Sequence, residues 1–428
     1  MMSAISFVAL NLLKKLRYNK NIILREASSM RAKIPGWKKN LYILWVCDFI
    51  MGMGFQLSMP FMSLYIKTLG HFNRFQLNMW SGLAFSATYL ISSWMAPIWG
   101  KIADRHGRKK VMLISTIGDG AMVLCMAFVQ HAYQLALFRL LQGFFAGYVA
   151  NTSALIASEV PTKHSGKALS TLSTGTTGGM LVGPLFGGVI ASLCGYRLTF
   201  FLTGLAYLIV FALTIFFVKE HNFTPVPKSQ TLSARKLFRQ LEYPQVVLGM
   251  LVTTLIIQAG NNSIAPVISL YVQQLLHGKG QVDLMSGLIA ALPGIATIII
   301  APIFGEWGDR IGTQKILIGG LIFAILVYIP QAFVTNVWQL AVLRFLVGIS
   351  DAALLPQVQS LLAKYSPNEY SGRIFSYNQS AQFLGNIFGP LIGSTISGIF
   401  GYGGVFLSTA CLVGGNLIWV RSSTRKIR

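Results

Sequence analysis

The chain has 428 residues, of which 54% are hydrophobic and only 11% are charged. Soluble domains carry about 25% charged residues, so this composition excludes an ordinary soluble domain. The formal net charge of +23 could indicate a nucleic-acid-binding protein, but the position of the charges argues against one. Most lysines and arginines lie in alternate loops between apolar segments, which is the pattern of the positive-inside rule.

Long apolar segments predict a polytopic all-α membrane protein. A helix needs about 20 apolar residues to cross about 30 Å of hydrocarbon, whereas barrel strands would show short alternating segments. An even number of crossings places both termini on one face, and the positive-inside rule predicts that this face is cytoplasmic. We predict twelve transmembrane helices, at 41–66, 79–99, 111–130, 134–155, 168–192, 198–218, 245–272, 283–304, 316–334, 338–361, 374–398 and 403–420.

The two halves of the chain repeat one another about 205 residues apart. The sequence Gly-Lys-Ile-Ala-Asp-Arg-His-Gly at 100–107 returns as Gly-Glu-Trp-Gly-Asp-Arg-Ile-Gly at 305–312. Gly183-Pro184 returns as Gly389-Pro390. A period this long excludes a solenoid, whose units run to about 20–50 residues. It predicts two fused copies of one helical bundle, and parallel repeats of this kind are typical of membrane transporters.

The repeat and the charge pattern together divide the chain into domains. Basic residues follow the short apolar run near the N-terminus and do not precede it, so a cleaved signal peptide is not indicated. Met30 is an alternative translation start, and we expect residues 1–29 to be dispensable for transport. Anionic lipid headgroups are the expected partner of the basic face. The predicted parts are a basic segment (1–40), a six-helix bundle (41–218), a cytoplasmic linker (219–244), a second bundle (245–420) and a basic tail (421–428).

Three motifs resemble signatures of the major facilitator superfamily. Residues 100–109, between predicted spans 2 and 3, resemble its loop signature. Arg139-Leu-Leu-Gln-Gly in span 4 resembles its second motif, and residues 179–188 in span 5 resemble the motif associated with antiporters. The resemblance covers residues 40–421. It implies two six-helix bundles related by a pseudo-two-fold axis, with a central cavity at mid-membrane.

A closer resemblance, carried by residues 169–175 and 372–379, is to bacterial multidrug efflux proteins among the twelve-helix drug:proton antiporters. It implies a monomer that exports amphipathic compounds by alternating access, with protons as the coupling ion and no other cofactor or metal. Two alternatives stay open: a narrow-specificity carrier of the same fold, for a sugar or a siderophore, and a non-transporting membrane sensor. The sequence has no Walker-type loop and no catalytic Ser/His/Asp cluster, so it indicates neither a nucleotide-driven pump nor an enzyme.

The loop motif predicts a conformational latch. Its glycines permit a tight turn, and a carboxylate near a helix N-terminus is stabilised by about 0.3–1 kcal/mol. The resemblance implies that the latch closes the cytoplasmic side when the cavity faces outward. The second copy departs from the pattern, because Thr313 and Gln314 replace a basic pair. The latch candidates are Gly100, Asp104, Arg105, Gly107, Arg108, Asp309 and Arg310.

The motif in span 5 places glycines four residues apart, along one stripe of a helix. Small residues let membrane helices pack closely, and a proline kinks the helix. Ordinary packing is therefore an alternative interpretation, and antiport is implied by the resemblance alone. The residues of this motif are Gly179, Gly183, Pro184, Gly187 and Gly188.

Each charged residue inside a predicted span raises the free energy of membrane insertion by about 2.5–3.5 kcal/mol on insertion scales. A carboxyl group in a low-dielectric cavity can hold a proton near neutral pH, which suits proton coupling. Arg344 and Asp351 are two helical turns apart, whereas Ala146 stands at the equivalent of Asp351 in the first half. We expect Asp119 at the periphery, where the family places its span. The candidates for proton coupling or substrate contact are Asp351, Asp48, Asp119, Arg139 and Arg344.

Uncharged amides in the spans are further candidates for the cavity wall, although such amides can also bridge helices. The three acids inside the predicted spans favour cationic compounds among the substrates. The amide candidates are Gln56, Asn151, Gln258, Asn261, Asn262, Gln357, Asn378 and Gln379.

Overall fold

The fold is described from a computed structural model. Most of the predicted N-terminal segment and linker, and the end of the basic tail, lie outside the described residues. Side chains at a few further positions are also not described, Asp309 among them. The described residues are 36–220, 241–278, 280–366 and 371–424.

All regular structure in the described residues is helical. The helices of the first half are α1 (Gly36–Ser58), α2 (Met62–Thr68), α3 (Arg74–His106), α4 (Arg108–Met126), α5 (Ala132–Phe145), α6 (Tyr148–Glu159) and α7 (Thr162–Phe217). Those of the second half are α8 (Pro244–Ile264), α9 (Ile268–Leu275), α10 (Val282–Trp307), α11 (Thr313–Gln331), α12 (Val337–Lys364) and α13 (Ser371–Ser423).

Helices α7 and α13 each contain a reversal of the chain. Gly195 in α7 has a φ of 79° and Gly401 in α13 has a φ of 81°, a conformation that glycine adopts without steric cost. Before its glycine, α7 runs parallel to α1 and α13 runs parallel to α8; after the glycine, each runs back antiparallel to the same helix. Each of these long helices therefore supplies two antiparallel segments to its bundle.

Eight helical segments in the described part of the chain are long and apolar enough to cross a membrane. Two of them are the reversing helices α7 and α13. Helices α3 and α4 are not among the eight, and both carry buried polar side chains, such as Ser86 and Thr88 in α3 and Thr116 in α4. The predicted number of twelve crossings therefore depends on the two reversals and on these two less apolar helices.

Each half of the chain packs around its own hydrophobic core, so the fold consists of two bundles. Large apolar side chains cover the outside. Trp94, Phe216 and Phe400 are 77%, 74% and 75% exposed, which is the arrangement expected where lipid tails surround the protein.

We call the face where α3 ends and α4 begins the basic face, because it carries Arg105, Arg108 and Lys109, and we call the opposite one the far face. Polar contacts between the bundles lie toward the far face. There the Lys67 amine donates to Gln273 Oε1 at 2.7 Å, and the Tyr196 hydroxyl donates to Asp283 Oδ1 at 2.9 Å.

The bundles also touch at two equivalent points of the repeat. Gly287 packs against the carbonyl oxygen of Pro184, so that a β-carbon there would overlap it. A β-carbon at Gly82 would lie 2.8 Å from the carbonyl oxygen of Pro390. At Gly287 the contact is between backbones, whereas the atoms nearest to Gly82 belong to the Ser394 side chain, and a β-carbon at either position would overlap its neighbours.

Candidate functional site

A cavity of about 480 Å³, here called the large cavity, lies between the bundles and reaches the basic face. It extends from Tyr89 at mid-membrane to Asp104 and Arg108 of the loop motif. Its wall is mostly apolar and aromatic, as is usual for small-molecule sites. Side chains that characterise the wall are Phe55, Tyr89, Trp99, Met180 and Phe383, with the polar groups of Asp119, Gln142, Asn151 and Asn386.

Asp119 lines the large cavity, so the expectation of a peripheral position for it is wrong. It lies on α4 and is 7% exposed. The reason is a break in the predicted fourth span: α5 ends at Phe145, and Ala146 and Gly147 separate it from α6. Both residues of the break also line the cavity, so α4 reaches the cavity behind them.

Arg139 lies on α5 and is held by neutral groups. Its Nη1 donates to Gln142 Oε1 at 2.8 Å, its Nε to the Ala84 carbonyl at 3.2 Å, and its Nη2 to the Met59 sulfur at 3.4 Å. Arg139 is only 2% exposed. Through Gln142 the guanidinium group is linked to the wall of the large cavity, where Asp119 also lies.

Asp48 is fully buried in the first bundle and is placed behind the cavity wall. The Thr152 hydroxyl of α6 lies 3.1 and 3.0 Å from its two carboxylate oxygens. Its neighbours Met51 and Gly52 line the large cavity, but Asp48 itself does not. A buried carboxyl group needs a hydrogen-bond donor, and Thr152 supplies it.

A smaller cavity of about 170 Å³, here called the small cavity, adjoins the large one. Tyr89 lines both cavities. The Asn262 amide, in the wall of the small cavity, donates to Asn386 Oδ1 in the wall of the large one at 2.9 Å. The small cavity is also lined by Arg344 and Gln56. The two cavities are therefore neighbours that differ in polarity.

Asp351 and Arg344 share helix α12, as predicted, but they form no ion pair in the structure. Instead the Asn261 amide of α8 donates to Asp351 Oδ1 at 3.0 Å. The Tyr328 hydroxyl of α11 donates to Asn261 Oδ1 at 2.8 Å. Asp351 is therefore tied to α8 and α11 through an amide.

Five of the eight predicted amides lie at the cavities or beside them. Asn151 lines the large cavity, and its amide donates to the Gly147 carbonyl at 2.8 Å. Gln56, Asn261 and Asn262 line the small cavity. Gln258 supports Asn262, because its backbone carbonyl accepts the Asn262 amide at 3.0 Å.

The other three predicted amides line neither cavity. Gln357 is buried and donates to the Phe304 carbonyl at 2.9 Å, and Asn378 is buried and accepts the Thr254 hydroxyl at 2.6 Å. These two bridge helices within the second bundle. Gln379 is exposed and bonds to Gln382 at 3.3 Å. Tyr89, Trp99 and Asn386 also line the large cavity and were not predicted from the sequence. Gln142 lines it too, and the sequence indicated it only as part of the second motif.

The loop motif forms a turn at the mouth of the large cavity. Gly107 has a φ of 97° and separates α3 from α4. Asp104 lies 3.9 Å from Arg108 of its own loop. Arg105 and Arg310 are exposed, and no neighbouring atom would crowd a β-carbon at Gly100. The Asp104 side chain is about half exposed and lies at the mouth of the large cavity.

Glu220 caps helix α4 and was not anticipated from the sequence. Its two carboxylate oxygens accept the backbone N–H groups of Arg108 at 2.8 Å and Lys109 at 3.1 Å. A carboxylate at a helix N-terminus both satisfies free N–H groups and complements the helix dipole. At the equivalent place in the second half, Gln314 donates to the Thr424 hydroxyl at 2.5 Å. The two halves thus hold this turn with different chemistry.

The glycine stripe of span 5 packs against α1. A β-carbon at Gly183 would lie 2.6 Å from the Met53 carbonyl oxygen. The stripe recurs in α13, where a β-carbon at Gly389 would lie 2.6 Å from the Ala259 carbonyl oxygen of α8. Both bundles therefore use such a stripe for close packing, with Gly179, Gly183 and Gly187 in α7 and Gly385, Gly389 and Gly393 in α13.

Gly188 differs from the rest of the span-5 motif. It faces the other bundle, since a β-carbon there would lie 3.0 Å from the Asp283 carbonyl oxygen. With Pro184, it forms part of the contact between α7 and α10.

Comparison with known proteins agrees with this architecture. The sequence profile of the Major Facilitator Superfamily matches residues 44–282 and 250–426. Among solved structures, a bacterial homologue of the human lysosomal transporter Spinster superposes with a TM-score of 0.75 at 14% identity, covering 92% of this chain and 98% of that one. The POT family transporter PepTSo gives a TM-score of 0.74 at 11% identity, with 92% and 98% coverage. These two share the fold.

Relatives of much higher identity are also known. The chain is 46% identical over 392 residues to multidrug resistance protein MdtG of Escherichia fergusonii, covering 92% of this chain and 96% of the relative. It is 47% identical over 392 residues to multidrug resistance protein MdtG of Salmonella typhi, covering 92% and 97%. The chain therefore belongs to the major facilitator superfamily of multi-pass membrane transporters.

Proposed function

We propose that this protein exports amphipathic compounds, cationic ones among them, across a bacterial inner membrane in exchange for protons. The observation that carries the proposal is the large cavity, whose wall is apolar and aromatic except for a few polar groups such as Asp119. Such a wall suits a compound with an apolar body. The relatives named multidrug resistance proteins match this chain over more than 90% of its length, which supports the same activity.

The basic face is the cytoplasmic face in this proposal, because lysines and arginines concentrate in cytoplasmic loops. Both termini then lie in the cytoplasm, and the large cavity is open to the cytoplasm and closed at the far face. This conformation suits uptake of a compound from the cytoplasm or the inner leaflet. Anionic headgroups of that leaflet would interact with the basic face.

Release requires the opposite conformation, in which the far-face contacts open and the basic face closes. The Lys67–Gln273 and Tyr196–Asp283 hydrogen bonds join the bundles and would have to break. Asp104 is free of the second bundle here, so a contact made only after closure would stabilise the outward-open state. This supports a latch role for the loop motif.

Proton coupling needs a carboxyl group that both a proton and a compound can reach. Of the three acids within the predicted spans, Asp119 lines the large cavity, whereas Asp48 lies behind its wall and Asp351 is bonded to Asn261. We therefore assign coupling to Asp119: a bound compound displaces its proton, and protonation releases the compound. Each inward proton gains about 2.3 kcal/mol per 100 mV of membrane potential.

The test is uptake of a lipophilic cationic dye by energised inverted vesicles, with and without a proton uncoupler. Wild type is expected to take up the dye, and the uncoupler to abolish that uptake. Asp119→Asn should lose the uncoupler-sensitive uptake but keep exchange of labelled for unlabelled dye, which needs no net proton movement. Asp48→Asn and Asp351→Asn are measured beside it, and Glu306→Gln, an exposed carboxylate at the basic face, is the matched control.

The outcomes separate the alternatives. No dye movement in wild type would favour a narrow-specificity carrier or a sensor, and neutral and anionic compounds would then be screened. Full uncoupler-sensitive uptake by Asp119→Asn would contradict the assignment of that acid, and loss in one of the other two variants would name its replacement.

A further inference from the structure

Asn78 on α3 is a fully buried amide that has no hydrogen-bond partner among the described residues. Its side chain is 0% exposed, and neither Oδ1 nor Nδ2 is bonded. An amide side chain offers two N–H donors and an acceptor oxygen, and burying it unpaired costs free energy that bonding to water would recover. A group of this kind therefore needs an explanation.

The internal repeat shows which bond the first half lacks. Asp283, 205 residues later, is the equivalent of Asn78, and Tyr402, 206 residues later, is the equivalent of Tyr196. Asp283 accepts the Tyr196 hydroxyl at 2.9 Å. Tyr402 is not bonded to Asn78, and its ring centre lies 4.8 Å from the Arg74 guanidinium carbon. The far face is thus fastened by a hydrogen bond on one side and carries an unpaired amide at the equivalent place on the other.

Asn78 lies where α3 packs against α13 of the second bundle, a contact that we call the α3–α13 seam. Asn78, Gly82 and Ser86 are four residues apart and so share one stripe of α3. The Ser86 hydroxyl donates to the Ile387 carbonyl of α13 at 2.7 Å, and Gly82 packs against Ser394 of the same helix. Asn78 is the member of the stripe closest to the far face, so separation of the bundles there brings water to its amide.

We propose that the unpaired amide of Asn78 destabilises the conformation in which the far face is closed and thereby favours its opening. The amide has no partner while the seam is closed, and water bonds to it once the seam is open. The penalty belongs to one conformation only, so it shifts the equilibrium whether or not a substrate is bound. The inference goes beyond the proposed function, because it requires two conformations but neither export nor protons.

Asn78→Leu tests the proposal, because an apolar side chain of similar volume removes the amide and keeps the packing. Replacing an unsatisfied buried group in this way removes its desolvation penalty. The variant should therefore have a higher thermal unfolding midpoint than wild type and a smaller fraction of molecules with an open far face. Asn78→Ala also removes the amide and should likewise reduce the open fraction, so the test does not depend on the fit of leucine.

The open fraction is measured by labelling a cysteine in the seam. Ser86 is 4% exposed and lines neither cavity, and cysteine is close to serine in size. The parent protein carries Ser86→Cys without the four native cysteines, as the full chain in nanodiscs. A small charged methanethiosulfonate reacts with this thiol only while the seam is open, so the labelling rate follows the open fraction. Asn78→Leu should lower that rate by about 5- to 150-fold.

Two variants calibrate the labelling rate. Ser81→Ala is the matched control on the same helix, because the buried Ser81 hydroxyl donates to the Leu77 carbonyl of α3 itself at 2.8 Å and does not depend on the seam. Its labelling rate should equal that of the parent. Tyr196→Phe removes a hydrogen bond of the closed far face and should label faster than the parent.

An equal or faster labelling rate in both Asn78→Leu and Asn78→Ala would overturn the proposal. A parent that is never labelled would also overturn it, since the seam would then not open. The labelling uses no substrate and no proton gradient, so it is independent of the export proposal. Failure of dye export with slower labelling in Asn78→Leu would contradict the export proposal alone, and normal export with unchanged labelling would contradict the role of Asn78 alone.

Discussion

The amide of Asn261 on α8 donates to the carboxylate of Asp351 on α12 at 3.0 Å. Its oxygen accepts the hydroxyl of Tyr328 on α11 at 2.8 Å, so one side chain joins three helices of the second bundle. Asn261→Ala should therefore destabilise the protein by about 1–3 kcal/mol, because it leaves the buried Tyr328 hydroxyl and the partly buried Asp351 carboxylate without this partner. A thermal unfolding midpoint several degrees below that of wild type is the expected measurement.

Tyr328→Phe removes only one of these hydrogen bonds and should cost about 0.5–1.5 kcal/mol. Tyr133→Phe, at a side chain that is 56% exposed, is the matched control and should leave the midpoint unchanged. A midpoint for Asn261→Ala equal to that of wild type would show that the three-helix link contributes no stability.

Glu220 should stabilise the turn of the loop motif. Glu220→Gln weakens the cap of α4 and Glu220→Ala removes it, and we expect a loss of about 0.5–2 kcal/mol for the alanine variant. Protection of the Arg108 and Lys109 amides from hydrogen exchange should fall in the same variant, since both donate to Glu220. Glu306→Gln removes an exposed carboxylate and serves as the control. Unchanged amide protection in Glu220→Ala would contradict the cap.

The two glycine stripes should be equally intolerant of a methyl group. Gly183→Ala and Gly389→Ala each place a β-carbon 2.6 Å from a carbonyl oxygen of the facing helix, so the helices must separate. We expect each to lower stability by about 1–3 kcal/mol, visible in the unfolding midpoint. Gly319→Ala meets no neighbouring atom and should be neutral or stabilising.

If Gly183 served antiport and not packing, Gly183→Ala would impair uncoupler-sensitive transport at an unchanged unfolding midpoint. Comparison with Gly389→Ala decides this point, because the second stripe has the same packing without the antiporter motif.

Locking the far face should stop transport. Lys67 and Gln273 lie in different bundles and are in hydrogen-bond contact, so Lys67→Cys with Gln273→Cys can be joined by a short thiol cross-linker. In a background without the four native cysteines, the cross-linked protein should lose dye transport by at least tenfold. Cleavage of a reducible linker should restore it. Transport at the wild-type rate after complete cross-linking would show that this contact does not open.

The bundles and most helices could be predicted from the sequence because apolar length and the repeat are strong signals. The helix ends could not. Helix α3 runs over Arg74–His106, whereas the apolar segment gives 79–99, because polar residues continue the helix into the aqueous layers on both sides. Asn73 begins this helix with a side chain that accepts the Gln76 N–H, a signal that hydropathy ignores.

The site was predicted only in part, since an apolar pattern does not show which face of a helix meets the cavity. The position of Asp119 depends on the break at Ala146 and Gly147, which lies inside an otherwise helical apolar segment. Glu220 is distant in sequence from the turn that it caps, so no local pattern could pair them. Gln357 and Asn378 resemble the cavity amides by type, and only tertiary packing distinguishes them.

The two glycine–proline contacts between the bundles also bear on the rate of the conformational change. At Gly287 the facing surface is main chain, so no side chains interlock there, whereas Gly82 also packs against the Ser394 side chain. One bundle can then tilt on the other at Gly287 without rotamer changes there. The barrier between the two transport states would then depend on the polar contacts between the bundles, so we expect the turnover rate to be sensitive to Tyr196 and Asp283.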